Sequence, residues 1–261
     1  MVKRLISSII LIAIILPLVI IGKWPFALLV GVAGILAIKE ITDLYKIPLI
    51  VKLLAFLALI SIIYSNFDAN TIIFGLNYGV LSTVILILTL PVIFYQVAGK
   101  YTTSNAFELI SFVLLVGLGL SYLILLRNYD FKYFLFMILI PIMTDTFAFI
   151  AGMTIGKHKV TALSPKKSWE GYIVGSAMGT FIMSIFYIYV IGAQTNLIIV
   201  IGLVLVMSIV GQLGDLFFSA IKRNKEIKDF ADLIPGHGGI LDRVDSIIFV
   251  AIFFMLIISN L

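Results

Sequence analysis

Cysteine is absent from the 261 residues of this chain, which excludes disulfides, thiolate metal sites and a cysteine nucleophile together. Charge is scarce as well. Only 12% of the residues are Asp, Glu, Lys or Arg, whereas soluble domains carry about 25% because something must face water. An ordinary soluble protein is therefore excluded. Two histidines leave little for zinc or copper, and low-complexity tracts, Pro-rich linkers and internal repeats are missing too. What fills the chain instead is apolar: 62% of residues are hydrophobic and the mean hydropathy is +1.22, so its solvent is mostly lipid.

A bilayer core about 30 Å thick needs roughly 20 apolar residues at 1.5 Å each. Nine stretches meet or approach that length: 5–22, 24–38, 49–65, 71–97, 107–126, 131–150, 171–191, 197–221 and 244–259. The fourth is long and carries Gly75, Asn77 and Gly79, so two half-spans are the alternative there. Charge decides. With nine spans and the N-terminus inside, the outer segments keep only Lys23, Arg127 and Lys132 of the 18 basic residues, whereas splitting the fourth stretch leaves seven outside. The opening Met1 to Arg4 and the apolar run behind it lack a small-x-small cleavage site and read as the first span. The expected fold is all-α and polytopic, with about nine transmembrane helices, a cytoplasmic N-terminus and an external C-terminus. Residues 1–130 form a membrane scaffold of about five spans. Residues 131–261 form a catalytic region of about four spans with two cytoplasmic loops.

The polar residues are unevenly placed. The five acids before Pro141 (Glu40, Asp43, Asp68, Glu108, Asp130) lie at or near span ends, where a solvated loop explains them. Beyond Pro141 come eight acids, nine basic residues and both histidines, and two of those acids, Asp145 and Asp215, fall inside apolar spans. An ionised carboxylate at bilayer depth costs at least about 2.5 to 3.5 kcal/mol, so it is normally paired, cation-bound or functional. Both lie five or six residues before the expected inner ends of their spans, roughly 8 to 9 Å deep. Asp242 and Asp245 begin the ninth span from the same side, at i,i+3 spacing. Asp215, Ser219 and Lys222 form a second stripe. Carboxylates plus a hydroxyl are an oxygen donor set suited to Mg²⁺.

Two basic loops fall on the same side, 156–171 and 222–243. In the first, Ser164 and Pro165 read as an N-cap followed by Pro at N1, with Lys166 and Lys167 in the first turn of a helix. Lysines there oppose the helix dipole unless an anion is present, which favours a phosphate site. Attraction for anionic lipid explains such loops equally well by count alone. His237, between glycines, fits a turn, and His158 has still less to recommend it. Trp24 and Trp169 read as interfacial anchors. The run Gly152 to Lys157 is no phosphate-binding P-loop: three residues separate its glycines, and no Ser or Thr follows the lysine.

The stretch Ser219 to Asp245 resembles the hallmark motif of the phosphatidate cytidylyltransferases, or CDP-diacylglycerol synthases. Ser219, Lys222, Arg223, Lys228, Asp229, Ala231, Pro235, His237, Gly238, Gly239, Asp242, Arg243 and Asp245 all meet it. A second feature of that family, an aspartate followed by Gly-Lys-His-Lys and Ser-Pro-Lys-Lys-Thr-Trp-Glu-Gly, is similar to Asp145, Gly156 to Lys159 and Ser164 to Gly171. Ser168 stands for the usual Thr, and Phe149 for a frequent Tyr. Residues 1–140 match only in being apolar spans.

The resemblance implies conversion of CTP and phosphatidate to CDP-diacylglycerol and pyrophosphate. It implies a multi-pass protein of a prokaryotic inner membrane, a homodimer with its active site facing the cytoplasm. On this basis Asp215, Asp242 and Asp245 are expected as catalytic metal ligands, with Asp145 as a further ligand or an orienting partner and Ser219 as a further candidate, and with Mg²⁺ as cofactor, alone or with a second cation. Lys167 is expected to be catalytic. Ser164, Lys166, Lys167, Ser219, Lys222, Arg223, Lys228, Asp229 and Arg243 are expected to bind the substrate phosphates, with His237, Gly238 and Gly239 looping over the nucleotide. Partners are CTP, phosphatidate and membrane lipid, with no nucleic acid. The rivals are a CTP-dependent lipid kinase or CDP-archaeol synthase, which should lack the full motif, and an ion-coupled transporter, which would show repeated halves and midplane charges.

Overall fold

The computed structural model describes residues 2–65, 67, 77–161, 163–192, 196–233 and 238–258, with side chains from Leu11 onward. These hold ten α-helices: α1 (Val2–Ile21), α2 (Lys23–Leu44), α3 (Leu49–Ile63), α4 (Tyr78–Thr89), α5 (Val92–Tyr95), α6 (Thr103–Tyr129), α7 (Phe131–Thr154), α8 (Trp169–Phe186), α9 (Leu197–Asn224) and α10 (Leu241–Ile258). Beyond Phe186, α8 continues as a π-helical turn, Tyr187–Ile191, which Gly192 ends at φ +69. No strand occurs among the described residues.

Side-chain oxygens of Asn77, Asp130, Ser168 and Asn196 each accept a backbone N–H from the first turn of α4, α7, α8 and α9, which sets where those helices begin. Pro91, without an N–H, separates α4 from α5. The fourth apolar stretch thus starts a helix at Tyr78, directly after Asn77. Its residues 71–76 lie outside the described set.

Among the described residues six helical segments are long and apolar enough to cross a membrane: Lys23–Leu44, Tyr78–Tyr95, Thr103–Tyr129, Phe131–Thr154, Trp169–Ile191 and Leu197–Asn224. The run Leu11–Ile21 and the 15-residue α3 are apolar but shorter, and α10 opens with Asp242, Arg243 and Asp245. The chain is an all-helical, multi-pass membrane protein. The six qualifying segments among the described residues do not confirm the nine spans expected from the sequence.

Two compact units divide the chain. The first comprises Met1–Tyr129 with Asp229–Arg243, the second Asp130–Lys228 with Val244–Leu261. The loop segment 229–243 therefore belongs with the N-terminal helices. In the first unit α2, α3 and α6 pack on one another around Ile38, Leu59, Ile62 and Leu120, and Gly117 leaves room for Ile62, which a Cβ there would meet at 2.9 Å. Arg127, counted by sequence as an outer charge, donates from its guanidinium to the carbonyls of Val19 and Ile20 at 2.6 Å, closing the negative C-terminal end of α1.

The second unit is built on close backbone contact. Gly171, Gly175 and Gly179 form one stripe of α8 against α7. A Cβ on Gly175 would stand 2.7 Å from the Thr144 carbonyl, and one on Gly179 would stand 2.7 Å from the Thr144 hydroxyl. Small residues at this spacing are how helices associate in lipid, where packing and interhelical hydrogen bonds replace the hydrophobic effect. Such bonds follow: Thr144 to Ser208 at 2.8 Å, Ser208 to Ser176 at 3.3 Å, and the Gln212 amide to Ser176 at 3.2 Å. They tie α7, α8 and α9 at one level. Asp145 follows Thr144 directly, and Asp215 comes one turn after Gln212.

Candidate active site

Asp145 and Asp215 keep a matched register. Each stands nine residues before the C-terminal end of its helix, at Thr154 and Asn224. Both helices run past the ends expected from hydropathy, so each carboxylate stands about 13 Å from the end of its helix. The polar ladder below them holds the two helices in place.

The loop between α7 and α8 brings the third member. Lys159 and Ser168 form an antiparallel bridge, Trp169 N–H donates to the His158 carbonyl at 2.9 Å, and Val160 N–H to the Lys167 carbonyl at 3.1 Å. Glu170 organises the turn: its carboxylate accepts the backbone N–H of Lys157 and of His158 at 3.2 Å and pairs with His158 Nδ1 at 2.6 Å. Gly-Lys-His-Lys and Ser-Pro-Lys-Lys are thus the two arms of one clasp. It ends with Lys167 Nζ on the Asp215 carboxylate, and Ser219 Oγ donates weakly to the other oxygen of Asp215 at 3.5 Å. Burial works against the Lys167 charge. The adjoining Asp215 carboxylate outweighs it and holds the lysine above its usual pKa. Tyr172 lies under the same ammonium, 5.4 Å from ring centroid to Nζ, and Asp145 also feels the Lys167 and Asp215 charges.

The expected N-cap at Ser164 is corrected. Ser164 to Lys167 is a turn closed by Lys167 N–H on the Ser164 carbonyl at 3.0 Å, and α8 starts only after Ser168, whose hydroxyl accepts from Gly171 N–H at 3.2 Å. Ser followed by Pro suits the first two positions of a β-turn as well as it suits a helix start. Ser168 also places Glu170 in the helix's first turn, where an acid is favoured. Lys166 is exposed on the turn and is not part of a helix N-terminus.

Of the second loop, Arg223 braces two segments, donating to the Leu163 carbonyl at 3.1 Å and the Ile227 carbonyl at 2.9 Å. Lys222 is buried on α9, whereas Lys228 and Asp229 are exposed. Asp245 is buried, its carboxylate on the N–H of Ser246 at 2.7 Å. In the first unit, Asp242 Oδ2 accepts Phe230 N–H at 3.0 Å and Gly239 N–H at 3.1 Å, with Gly238 at φ +81 beside it and Arg243 exposed. His237 lies outside the described residues. Glu40 is another correction: it is 3% exposed rather than solvated, and its carboxylate accepts N–H groups of Ile240 and Leu241.

Among the described residues no three acids or histidines converge tightly enough to hold a metal among themselves. Mg²⁺ does not require that, since it is usually held by one or two carboxylates with water and substrate phosphate completing its shell. Asp145 and Asp215 offer such a pair. Asp145 accepts no hydrogen bond from a described residue, and one lysine faces two carboxylates. This donor set fits a hard divalent cation or a metal-bound phosphate. Beside it, Trp169, Tyr172, Ile173, Ala177, Leu205 and Leu216 help line an apolar groove of about 550 Å³ between α8 and α9.

Sequence reasoning missed Tyr172, Glu170 and Glu40. Tyr172 follows the Ser-Pro-Lys-Lys run closely enough to have been found; the other two act on backbone groups far away, which spacing does not reveal.

A sequence model of the cytidylyltransferase family matches residues 2–261. The chain is 32% identical over 271 positions to a phosphatidate cytidylyltransferase of Bacillus subtilis, covering 98% of this chain and 97% of that one. It is 34% identical over 253 positions to the protein of that name from Staphylococcus haemolyticus, with 95% of each chain covered.

Proposed function

From the premise that the chain belongs to the phosphatidate cytidylyltransferase family, we propose that it makes CDP-diacylglycerol and pyrophosphate from CTP and phosphatidate in the bilayer. The observation that carries this reading is Lys167 held on Asp215, with Asp145 near enough to feel both charges, next to an apolar groove. An anionic headgroup on acyl chains matches that juxtaposition. A groove of about 550 Å³ is within the usual size of a ligand site and takes part of one chain.

A phosphate oxygen of phosphatidate attacks the α-phosphorus of CTP. The bond from that phosphorus to the β-phosphate oxygen breaks, and pyrophosphate leaves with its electron pair. The nucleophile is already an anion, so no strong general base is needed. The protein's part is positioning and charge compensation. Lys166 and Lys167 neutralise substrate phosphate, and Ser164 lies in the turn that presents them. Ser219, Lys222, Arg223, Lys228, Asp229, Arg243 and the loop of His237, Gly238 and Gly239 serve the nucleotide, as the family resemblance implies. Asp145 and Asp215 would hold Mg²⁺, and the family resemblance implies Asp242 and Asp245 as further ligands; bound, the ion would offset charge on the phosphates. Nine spans with the N-terminus in the cytoplasm, an inner-membrane location, an active site facing the cytoplasm and a homodimer complete the proposal. The bias of basic residues toward one side supports the orientation.

The test uses purified protein in detergent with labelled CTP, phosphatidate and Mg²⁺. Labelled CDP-diacylglycerol with equimolar pyrophosphate is expected. No product, or product only from a lipid alcohol or an archaeal ether lipid, overturns the reading.

A further inference from the structure

Glu40 has no place in the motifs, yet it is tied to one of them. It lies on α2, 200 residues from its partners, and its two oxygens divide two consecutive backbone donors: Oε1 takes Ile240 N–H at 2.7 Å and Oε2 takes Leu241 N–H at 3.0 Å. These donors open α10, where the helix's own ladder leaves N–H groups unpaired and the dipole favours a negative charge. The neighbouring amide, Gly239, goes to Asp242. Three successive N–H groups, 239 to 241, are therefore held by two carboxylates, and Asp242 ties in Phe230 as well.

Gly239 follows from the same geometry. A Cβ there would stand 2.5 Å from Glu40 Oε2 and 2.7 Å from its Cδ, closer than real Cβ contacts come. The φ of Gly239 is not in the left-handed region, unlike that of Gly238, so the need for glycine at 239 is one of space. The space is the one Glu40 fills.

We propose that Glu40 is a positioning residue of the enzyme: a carboxylate of the second helix that fixes the first turn of α10 and, through it, the aim of the Asp242 carboxylate, with Gly239 kept side-chain-free so that Glu40 can reach. The proposal rests on the reaction assigned above. It gives the N-terminal helices a task in that reaction beyond membrane scaffolding.

The test compares full-length Glu40→Gln, Glu40→Ala, Gly239→Ala and the double variant Glu40→Ala/Gly239→Ala in detergent. Hydrogen exchange reads the clamp directly. Amides of residues 239–241 should lose about tenfold or more of their protection in Glu40→Ala and Gly239→Ala, while α7 exchanges as in wild type. Initial rates read the positioning. Both single variants should lose about 10- to 100-fold in kcat, with KM for phosphatidate within about twofold of wild type, and Glu40→Gln should fall between because one acceptor oxygen remains. The double variant should be no worse than either single, since the alanine methyl enters space the carboxylate no longer needs.

Unchanged exchange at 239–241 overturns the clamp. Loosened exchange with wild-type kcat overturns the positioning role and leaves only a helix cap. Additive losses in the double variant overturn the account of Gly239. If Glu40→Ala does not fold, Glu40→Gln carries the same readouts. Wild-type protein without cytidylyltransferase activity would sink the proposed reaction instead, and the exchange arm would still judge the clamp.

Discussion

Lys167 is held on the carboxylate of Asp215 across 48 residues of sequence, the ammonium coming from a turn and the carboxylate from a membrane helix. The side chains are 21% and 26% exposed, so the pair is substantially shielded from water. Removing one partner should leave the other charge poorly compensated. Lys167→Ala and Asp215→Asn are each expected to cut CDP-diacylglycerol formation by about 100-fold or more. Combined, they should lose far less than the product of the single losses, because both changes disable one unit. Product formation under saturating CTP and phosphatidate checks this.

The Lys167 shift also fixes a pH expectation. Its pKa in the folded protein lies above the ordinary lysine value of about 10.4, so while the carboxylate is ionised the contribution of the lysine charge is complete below that value and is lost only as pH rises through the folded one. The difference in thermal midpoint between wild type and Lys167→Met should therefore be flat from about pH 8 to pH 9. A difference that shrinks within that range would contradict it.

Helix contact at the glycine stripe gives a paired test. Gly175→Ala puts a methyl 2.7 Å from the Thr144 carbonyl and from the Ala148 side chain, whereas Gly202 on α9 has open space around it. Gly175→Ala should destabilise by about 1 to 3 kcal/mol and impair activity, since α7 must shift and Asp145 with it. Gly202→Ala should be neutral or mildly stabilising. Unfolding midpoints and rates of the two variants, side by side, decide it.

How much of this was legible in the sequence depended on range. Asp145 and Asp215 stood out because a carboxylate in lipid is expensive, and their equal register survived even though both helices extend beyond the hydropathy boundaries. The clasp of the loop before α8 was visible as two basic motifs, but its organiser, Glu170, stood in the second of them with nothing to show which backbone groups it holds. Ser164 misled because serine before proline serves a β-turn as readily as a helix start. Glu40 was unreadable: an acid near a span end is ordinarily solvated, and only the fold brings Ile240 and Leu241 to it.

Ser168 supplies a direct check on where α8 begins. If its hydroxyl is the cap, Ser168→Ala should lose about 0.5 to 2 kcal/mol and Ser168→Thr should keep it, since threonine retains the oxygen that accepts from Gly171 N–H. Ser164→Ala removes no cap, because its side chain accepts no helix N–H and the turn is closed by its backbone carbonyl. It should leave the unfolding free energy within about 0.5 kcal/mol of wild type. The reverse order of effects would restore a helix start at Ser164, turning Lys166 and Lys167 into first-turn residues. In that case Ser168 would lie inside the helix, its bridge to Lys159 would be lost, and the clasp that delivers Lys167 to Asp215 would have to be rebuilt.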